Sequence, residues 1–300
     1  MKIGIAGTGR MGTAIGQRLI GLGHELTVWN RTAEKTEALA AAGAKAAATP
    51  ANVAEDSEVV ITILTDAAAI DAAYLGKDGL LSGNVTGKLF IEMSTVRPET
   101  ERMLAARVRK KGAAFVECPV GGTVGPAREG KLFGFLGSDA TDVARARTVL
   151  DQLCRRVEHV GLVGAGASMK LAINLPLLVF WQAFGEALAL CRPLGLDAAR
   201  LIDIFSDTSG GPNVLKSRAA VLTAVLQGKD AGPVTIDIDS MRKDLRTMVE
   251  EASALGTSLP VTSRTLDCYG EASRAGLGKA DITGIPVRWM RLRGETAGKR

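Results

Sequence analysis

A lysine and an asparagine in the second half of the chain have the residue types and spacing for acid–base chemistry. Lys170 and Asn174 stand four residues apart in an apolar segment, so a helix would place both on one face. Loss of hydration in an apolar site lowers the pKa of a lysine, which allows proton exchange near neutral pH. An asparagine offers a donor and an acceptor to hold a hydroxyl or an amine. A surface lysine on an amphipathic helix is the competing interpretation.

A glycine-rich turn at the start of the chain has the pattern of a dinucleotide-binding loop. The apolar segment Lys2–Ala6 runs into Gly7-Thr8-Gly9-Arg10-Met11-Gly12, and a helical pattern follows. Gly7 permits a tight turn, Gly9 lets the backbone approach a pyrophosphate, and Gly12 allows close packing of helix on strand. The N–H groups at the helix start, with the positive end of its dipole, then hold the phosphates.

The residues after the next predicted strand indicate which dinucleotide is bound. Glu25–Trp29 is followed by Asn30, Arg31 and Thr32, without the acidic residue that binds the ribose 2′-hydroxyl in NAD-selective domains. A guanidinium binds a 2′-phosphate in bidentate fashion, whereas a carboxylate repels it. The pattern favours NADP over NAD. A plain solvated role for Arg31 is the alternative.

Two further loops follow predicted strands and are candidates for ligand binding. Gly121-Gly122-Thr123 comes shortly after the strand Ala114–Cys118, and exposed N–H groups in such a loop bind a carboxylate. Met93-Ser94-Thr95 follows another strand and is expected at the same sheet edge, in reach of the nicotinamide or ribose. An ordinary connecting loop is the alternative for the first of these. Both histidines of the chain flank strands at the opposite edge and are expected to be structural.

The order of the predicted elements that position these residues indicates the fold. Short apolar strands alternate with helical patterns through the first half, which predicts a mostly parallel, doubly wound sheet of the Rossmann type. We predict an α/β dinucleotide-binding domain over residues 1–163 and an all-helical domain over residues 164–300, joined by a long interdomain helix. The predicted strands are Lys2–Ala6, Glu25–Trp29, Val59–Leu64, Leu89–Met93, Ala114–Cys118, Leu132–Gly137 and a segment near Arg156–Val160. The clearest predicted helices are Met11–Leu22, Thr32–Ala42, Pro98–Lys111 and Thr141–Leu153.

Composition and charge argue against several classes of protein. Of the 300 residues, 46% are hydrophobic and 23% charged, which is typical of a globular chain with a substantial core. The net charge is only +5, and the basic residues of Arg288–Arg300 lack interleaved aromatics, which favours a solvated tail over a nucleic-acid contact. The four cysteines have no Cys-x-x-Cys spacing, so neither a metal site nor a disulfide framework is predicted.

The expected surroundings of the protein follow from the same features. Polar residues interrupt the apolar run Leu171–Cys191, which favours a buried helix over a membrane span. The first residues read as a strand rather than an export signal, so we expect a cytoplasmic protein in a reducing compartment. We expect a small-molecule substrate as its partner, and neither nucleic acid nor a membrane.

Five motifs in order resemble the β-hydroxyacid dehydrogenase family over nearly the whole chain. They are Gly7-x-Gly9-x-Met11-Gly12, Met93-Ser94-Thr95, Pro119-Val120-x-Gly122-Thr123 with its continuation to Leu132, Gly164-x-Gly166-x-x-x-Lys170-x-x-x-Asn174, and Lys243-Asp244-Leu245. The Asn30-Arg31-Thr32 run and the Gly-Thr-x-x-Pro-Ala form of the loop are similar to the glyoxylate/succinic semialdehyde reductase branch, which uses NADPH.

The resemblance implies an oxidoreductase that transfers a hydride between NADP(H) and a small β-hydroxyacid or semialdehyde. It implies Lys170 as the catalytic acid/base with Asn174 beside it, and a substrate carboxylate along Gly121, Gly122 and Thr123. It also implies a homodimer or homotetramer in which the helical domain supplies much of the interface. The further roles implied are cofactor binding by Leu64, Thr65, Thr95 and Lys243, and a place near the substrate for Asp244.

Three departures from the family pattern bear on the substrate. Members usually have a serine where this chain has Gly121, so one hydroxyl contact to the carboxylate is missing. An aromatic residue often found before the Lys-Asp pair is replaced by Thr235 or Ile236. Pro176 should bend or locally break the long helix. These changes indicate a bulkier or more apolar substrate than the smallest hydroxyacids.

Two other functions stay open at this point. Imine reductases resemble the same family but generally lack the lysine, so Lys170 argues against that activity. A catalytically silent NADP-binding regulatory protein, like the dehydrogenase-like module of some chromatin proteins, would also lose the lysine.

Overall fold

The apolar strands of the first half assemble into a nine-stranded sheet in the computed structural model, which describes residues 1–291. The strands are β1 (Lys2–Ala6), β2 (Glu25–Trp29), β3 (Lys45–Ala46), β4 (Val59–Thr62), β5 (Leu89–Glu92), β6 (Ala114–Glu117), β7 (Val120–Gly121), β8 (Leu132–Gly137) and β9 (Cys154–Gly161). Their order is β3-β2-β1-β4-β5-β6-β8-β7, with β9 paired to β8. The first six are parallel, and β8 runs antiparallel to β6 and β7. The predicted doubly wound fold is confirmed.

Helices cover both faces of this sheet. They are α1 (Arg10–Gly21), α2 (Glu37–Ala40), α3 (Pro50–Glu55), α4 (Ala67–Leu75), α5 (Pro98–Lys110), α6 (Val124–Glu129) and α7 (Ala140–Leu153). Side chains alternate between the faces, so Ile61 packs in the core beneath α1 and α7, whereas Val60 packs beneath α3, α4 and α5. Because both faces are covered, the central strands are apolar on both sides, as their sequences predict.

The chain divides into two compact units, Met1–Ala172 and a second that begins at Ile173. Helix α8 (Ala165–Cys191) starts in the first unit and continues into the second. The sequence places the boundary just before this helix, between residues 163 and 164, in a glycine-rich stretch. Division by packing falls inside the helix because its first two turns contact the sheet unit.

The second unit is helical. Its elements after α8 are α9 (Ala198–Ser206), α10 (Asn213–Leu226), α11 (Ile238–Ala254), α12 (Pro260–Ala272) and α13 (Gly284–Arg291). The fully buried Tyr269 donates its hydroxyl hydrogen to the carbonyl oxygen of Leu178 at 3.0 Å, which fixes α12 to α8. Before α11, Asp281 accepts hydrogen bonds from the backbone and hydroxyl of Thr235, and Asp237 forms a bridge with Asp281 just before the helix begins at Ile238.

Several element bounds differ from the sequence-based prediction. Strands β4, β5 and β6 end one or two residues earlier than predicted, and β9 is longer. The two-residue strands β3 and β7 were not predicted, since two residues show no period. The predicted helix Thr32–Ala42 is a 3₁₀ segment, Ala33–Thr36, followed by the short α2.

Helix α8 passes through Pro176 without a break. It is continuous from Ala165 to Cys191, so the local break that the sequence allowed is not formed. Proline removes one hydrogen bond, the one to the carbonyl oxygen of Ala172. Both Ala172 and Pro176 are exposed, so water can satisfy that oxygen.

One described segment, Ala165–Leu194, is long and apolar enough to cross a membrane by length and composition. Of its most apolar 18-residue window, 44% is buried, and core helices of soluble proteins meet the same criterion. The C-terminal residues of the basic cluster, Arg293, Lys299 and Arg300, lie outside the described residues.

The four cysteines are free thiols. Cys118 and Cys154 are buried in the first unit and Cys268 in the second, whereas Cys191 is partly exposed. Burial raises the pKa of Cys154 to about 12 and raises the pKa of Cys118 well above its ordinary value. These thiols therefore stay protonated at neutral pH.

Candidate active site

The glycine turn lies where β1 meets α1, at the carboxyl edge of the parallel strands. Gly7 has φ +104°, and a Cβ there would overlap the carbonyl oxygen of Ile63. A Cβ on Gly12 would overlap the carbonyl oxygen of Gly7. Nothing lies within 4 Å of the Cβ position of Gly9, and no side chain caps the helix that follows it. An open backbone at a helix start fits the pyrophosphate of a dinucleotide.

Asn30 ties the end of β2 to this turn. Its side-chain oxygen accepts a hydrogen bond from the Thr8 N–H at 3.2 Å, and its side-chain nitrogen donates to the Thr32 carbonyl at 2.9 Å. Arg31 and Thr32 are exposed beside it. Asn30 therefore maintains the shape of the loop, and Arg31 is the cation presented next to it.

Ser94 links the loops that follow β4 and β5. Its hydroxyl accepts a hydrogen bond from the Leu64 N–H at 2.7 Å and donates to Glu92 Oε2 at 3.2 Å. Its own N–H donates to Glu92 Oε1 at 2.6 Å. Thr65 and Thr95, each next to one of these bonded residues, are exposed and half-buried respectively. A buried carboxylate thus fixes the two loops that were predicted to bind the cofactor.

The loop after β6 has the open backbone that carboxylate binding requires. Gly121 ends β7, Gly122 has φ +126°, and Thr123 is the N-cap of α6. The atoms nearest to a Cβ on Gly121 would belong to Phe135 and Phe133, at 3.7 and 3.8 Å. These are ordinary van der Waals distances, so the space at this position would accept the serine that family members usually have.

Lys170 lies on α8, whose first turn is held by Glu117. This glutamate is fully buried at the end of β6, and its Oε1 accepts hydrogen bonds from the N–H groups of Gly164 at 2.6 Å and Gly166 at 2.8 Å. Gly166 and Lys170 are four residues apart and share a helix face. Lys170 itself is half-buried. Within the first unit, Glu117 therefore joins the start of α8 to β6, the strand that precedes Gly121-Gly122-Thr123.

In the second unit, Asp244 joins two other predicted site residues. Its Oδ2 accepts a hydrogen bond from the side-chain nitrogen of Asn174 at 3.2 Å, and its Oδ1 is 2.6 Å from the ammonium of Lys243. Asn174 and Asp244 are both buried. The three predicted residues are thus brought together, with the Asp244 carboxylate fixing the orientation of the Asn174 amide.

Three buried glutamates underlie the first-unit loops. Burial raises the pKa of Glu92 and of Glu117 to about 7, against the opposing effect of the hydrogen bonds that each accepts. Burial also raises the pKa of Glu101 on α5, and the carboxylates of Glu92 and Glu117 raise it further. Neither oxygen of Glu101 has a hydrogen-bond partner among residues 1–291. No set of three His, Cys, Asp or Glu side chains in that range forms a metal-binding group.

Glu92, Glu117 and the hydrogen bond between Asn30 and Thr8 are parts of this site that the sequence motifs do not predict. A signal was present for the glutamates: each is a charged residue that ends an otherwise apolar strand, in Leu89–Glu92 and Ala114–Glu117. A charge at such a position is buried at the ligand-binding edge and needs partners.

Comparison with known proteins decides the family. Residues 2–161 match the NAD binding domain of 6-phosphogluconate dehydrogenase. Residues 164–288 match the domain described as NAD-binding of NADP-dependent 3-hydroxyisobutyrate dehydrogenase. The chain belongs to the β-hydroxyacid dehydrogenase family. The resemblance inferred from the five motifs is confirmed.

Relatives of this β-hydroxyacid dehydrogenase cover almost its full length. Glyoxylate/succinic semialdehyde reductase 1 of Arabidopsis thaliana is 30% identical over 95% of this chain and 97% of its own length. A 3-hydroxyisobutyrate dehydrogenase of Pseudomonas aeruginosa is 35% identical over 93% and 96%. The structure of Mycobacterium tuberculosis 3-hydroxyisobutyrate dehydrogenase with L-serine superposes with a TM-score of 0.83, at 25% identity over 97% and 99% of the two chains. The protein is an NAD(P)-dependent oxidoreductase that acts on CH–OH groups of hydroxyacids.

Proposed function

We propose that this β-hydroxyacid dehydrogenase interconverts a small β-hydroxyacid and its semialdehyde, with NADP(H) as cofactor and Lys170 as the acid/base. The observation that supports the proposal most strongly is the placement of Lys170 on a helix anchored at the end of β6. This strand leads directly into Gly121-Gly122-Thr123, the loop proposed to bind the substrate carboxylate.

The residues of the chain divide the work of the reaction. A bound reduced nicotinamide supplies the hydride that the carbonyl carbon receives. Lys170 donates a proton to the carbonyl oxygen in that direction and removes it from the hydroxyl in the reverse direction. Asn174, oriented by Asp244, holds the same oxygen, and the loop N–H groups hold the carboxylate. Fixing both ends of the substrate keeps the reacting atoms in an attack geometry.

Replacing Lys170 tests the catalytic role. In Lys170→Ala we expect kcat to fall by about 10²- to 10⁴-fold, because the proton transfer loses its positioned acid. The Kd for NADPH, measured by calorimetry, should stay within about twofold since the glycine turn is intact. Lys131→Ala, at an exposed lysine of the same unit, is the matched control and should behave as wild type. Retained turnover in Lys170→Ala would refute the proposed chemistry.

Replacing Arg31 tests the cofactor preference. Arg31→Ala should raise the KM for NADPH by about tenfold or more, the effect of losing a charge-assisted hydrogen bond, while the KM for NADH stays unchanged. Lys35→Ala, another exposed cation of the same connection, controls for a general change of charge. Equal effects of Arg31→Ala on both cofactors, or of both variants on NADPH, would contradict recognition of the 2′-phosphate by Arg31.

A substrate panel separates the proposal from its alternatives. Glyoxylate, succinic semialdehyde, 3-hydroxyisobutyrate and a cyclic imine are followed by the absorbance of NADPH and NADH. Turnover of the carboxylated compounds supports the proposal. Turnover of the imine alone would identify an imine reductase, and NADPH binding without turnover of any compound would indicate a silent regulatory protein.

A further inference from the structure

The side chain of Glu117 occupies a space that two glycines, Gly137 and Gly166, leave open. A Cβ on Gly137 would overlap Glu117 Oε1, and a Cβ on Gly166 would stand 3.2 Å from the same oxygen and overlap the carbonyl oxygen of Phe135. Gly164 has φ +102°, a backbone conformation that side chains other than glycine rarely adopt. Gly166 therefore permits the close approach of this carboxylate to α8, and Gly164 supplies the backbone conformation of the turn that precedes the helix.

The carboxylate serves as a long-range cap for that helix. The first N–H groups of a helix have no partner within it, and a carboxylate there also interacts favourably with the helix dipole. A cap normally comes from the adjacent residue, whereas Glu117 lies 47 residues before Gly164. A local cap would satisfy the same N–H groups. Only a cap from β6 also fixes the helix relative to the sheet edge.

This cap has an electrostatic cost that a purely structural contact would avoid. Glu117 is fully buried, and the carboxyl groups of Glu92 and Glu101 lie in the same cluster. Its Oε2 has no hydrogen-bond partner within residues 1–291. A buried carboxyl with one oxygen that accepts no hydrogen bond lowers the stability of the folded protein. We therefore looked for a functional reason for Glu117 at the candidate active site.

We propose that Glu117 is a positioning residue that sets the place of Lys170 by anchoring the first turn of α8 to the end of β6. Gly166, which donates to Glu117, and Lys170 lie on one helix face about 6 Å apart along the axis. A shift of the helix start is thus transmitted directly to the lysine. The inference rests on the proposed function of Lys170.

Three replacements of Glu117 test the anchor, with succinic semialdehyde and NADPH as probes. Glu117→Ala removes the acceptor, and we expect kcat to fall by about 10- to 100-fold, as for a displacement of the acid of about 1 Å. The KM for NADPH should stay within about twofold. Glu117→Gln keeps an acceptor oxygen for the same N–H groups and should recover most of kcat. Glu101→Gln, a buried glutamate of the same cluster that holds no N–H, is the matched control with wild-type kcat.

Hydrogen–deuterium exchange measures the anchor without any reaction. The amides of Gly164–Ala167 should exchange faster in Glu117→Ala than in the wild type, and near the wild-type rate in Glu117→Gln. Faster exchange with unchanged kcat would show a structural cap only and would overturn the inference. If Glu117→Ala does not fold, Glu117→Asp, which keeps the charge but is one methylene shorter, is judged by the same two measurements.

A double variant distinguishes this inference from the proposed function. Because Glu117 is proposed to act through Lys170, Glu117→Ala should not lower the residual turnover of Lys170→Ala further. A further loss of similar size in that background would overturn the positioning role while leaving Lys170 catalytic. Wild-type turnover in Lys170→Ala alone would overturn both.

Discussion

At the scale of single residues, Gly121 differs from the serine that is usual in the family, although the structure has room for a side chain at this position. The atoms nearest to its Cβ position belong to Phe135 and Phe133, and they stand at ordinary contact distance. In the proposed site, a glycine at this position removes one side-chain hydroxyl contact to the substrate carboxylate and leaves more space beside it. The departure therefore bears on substrate choice rather than on folding.

Restoring the serine tests this interpretation. Gly121→Ser should fold normally and lower the KM for 3-hydroxyisobutyrate by about two- to tenfold, the effect of one added hydrogen bond, with kcat little changed. Gly125→Ser, at an exposed glycine of α6 with nothing within 4 Å, serves as the control and should leave KM unchanged. An increase in KM for Gly121→Ser would mean that the carboxylate does not lie at this residue.

At the scale of elements, β5, β6 and α5 each contribute one glutamate to a single buried cluster. The carboxyls of Glu92 and Glu117 have pKa values of about 7 in the folded protein, against an ordinary value of 4.5. The folded state therefore binds more protons than the unfolded chain between these pH values. The contribution of these two carboxyls to the free energy of unfolding therefore decreases as the pH rises from about 4.5 to about 7.

Removing one member of the cluster should weaken that dependence. Glu101→Gln eliminates a buried carboxyl whose pKa is also raised, so it should stabilise the protein more at pH 8 than at pH 5.5. We expect the difference between variant and wild type to grow by about 1 kcal/mol or more over that interval, measured by urea unfolding. Glu99→Gln on the exposed face of α5 is the control and should show no such trend. A constant difference at both pH values would contradict the raised pKa.

At the scale of the whole molecule, the features that the sequence predicts are those that depend on residues close together in the chain. The short apolar strand segments, the glycine turn and the apolar segment around Lys170 and Asn174 are patterns of neighbouring residues, so they predict the sheet and the long helix. The hydrogen bond from Gly164 to Glu117 and the one from Thr8 to Asn30 join residues 47 and 22 positions apart, and no local pattern specifies them. Continuity of α8 through Pro176 depends on solvent exposure, which the sequence alone does not give.

The burial of the cysteines has a practical consequence for studying the two units. Cys118 and Cys154 report on the first unit and Cys268 on the second, because each thiol becomes reactive only when its surroundings open. Mass spectrometry after pulses of an alkylating reagent in increasing denaturant would assign each modified cysteine separately. The chain thus contains native probes for whether its sheet unit and its helical unit lose their structure together or one after the other.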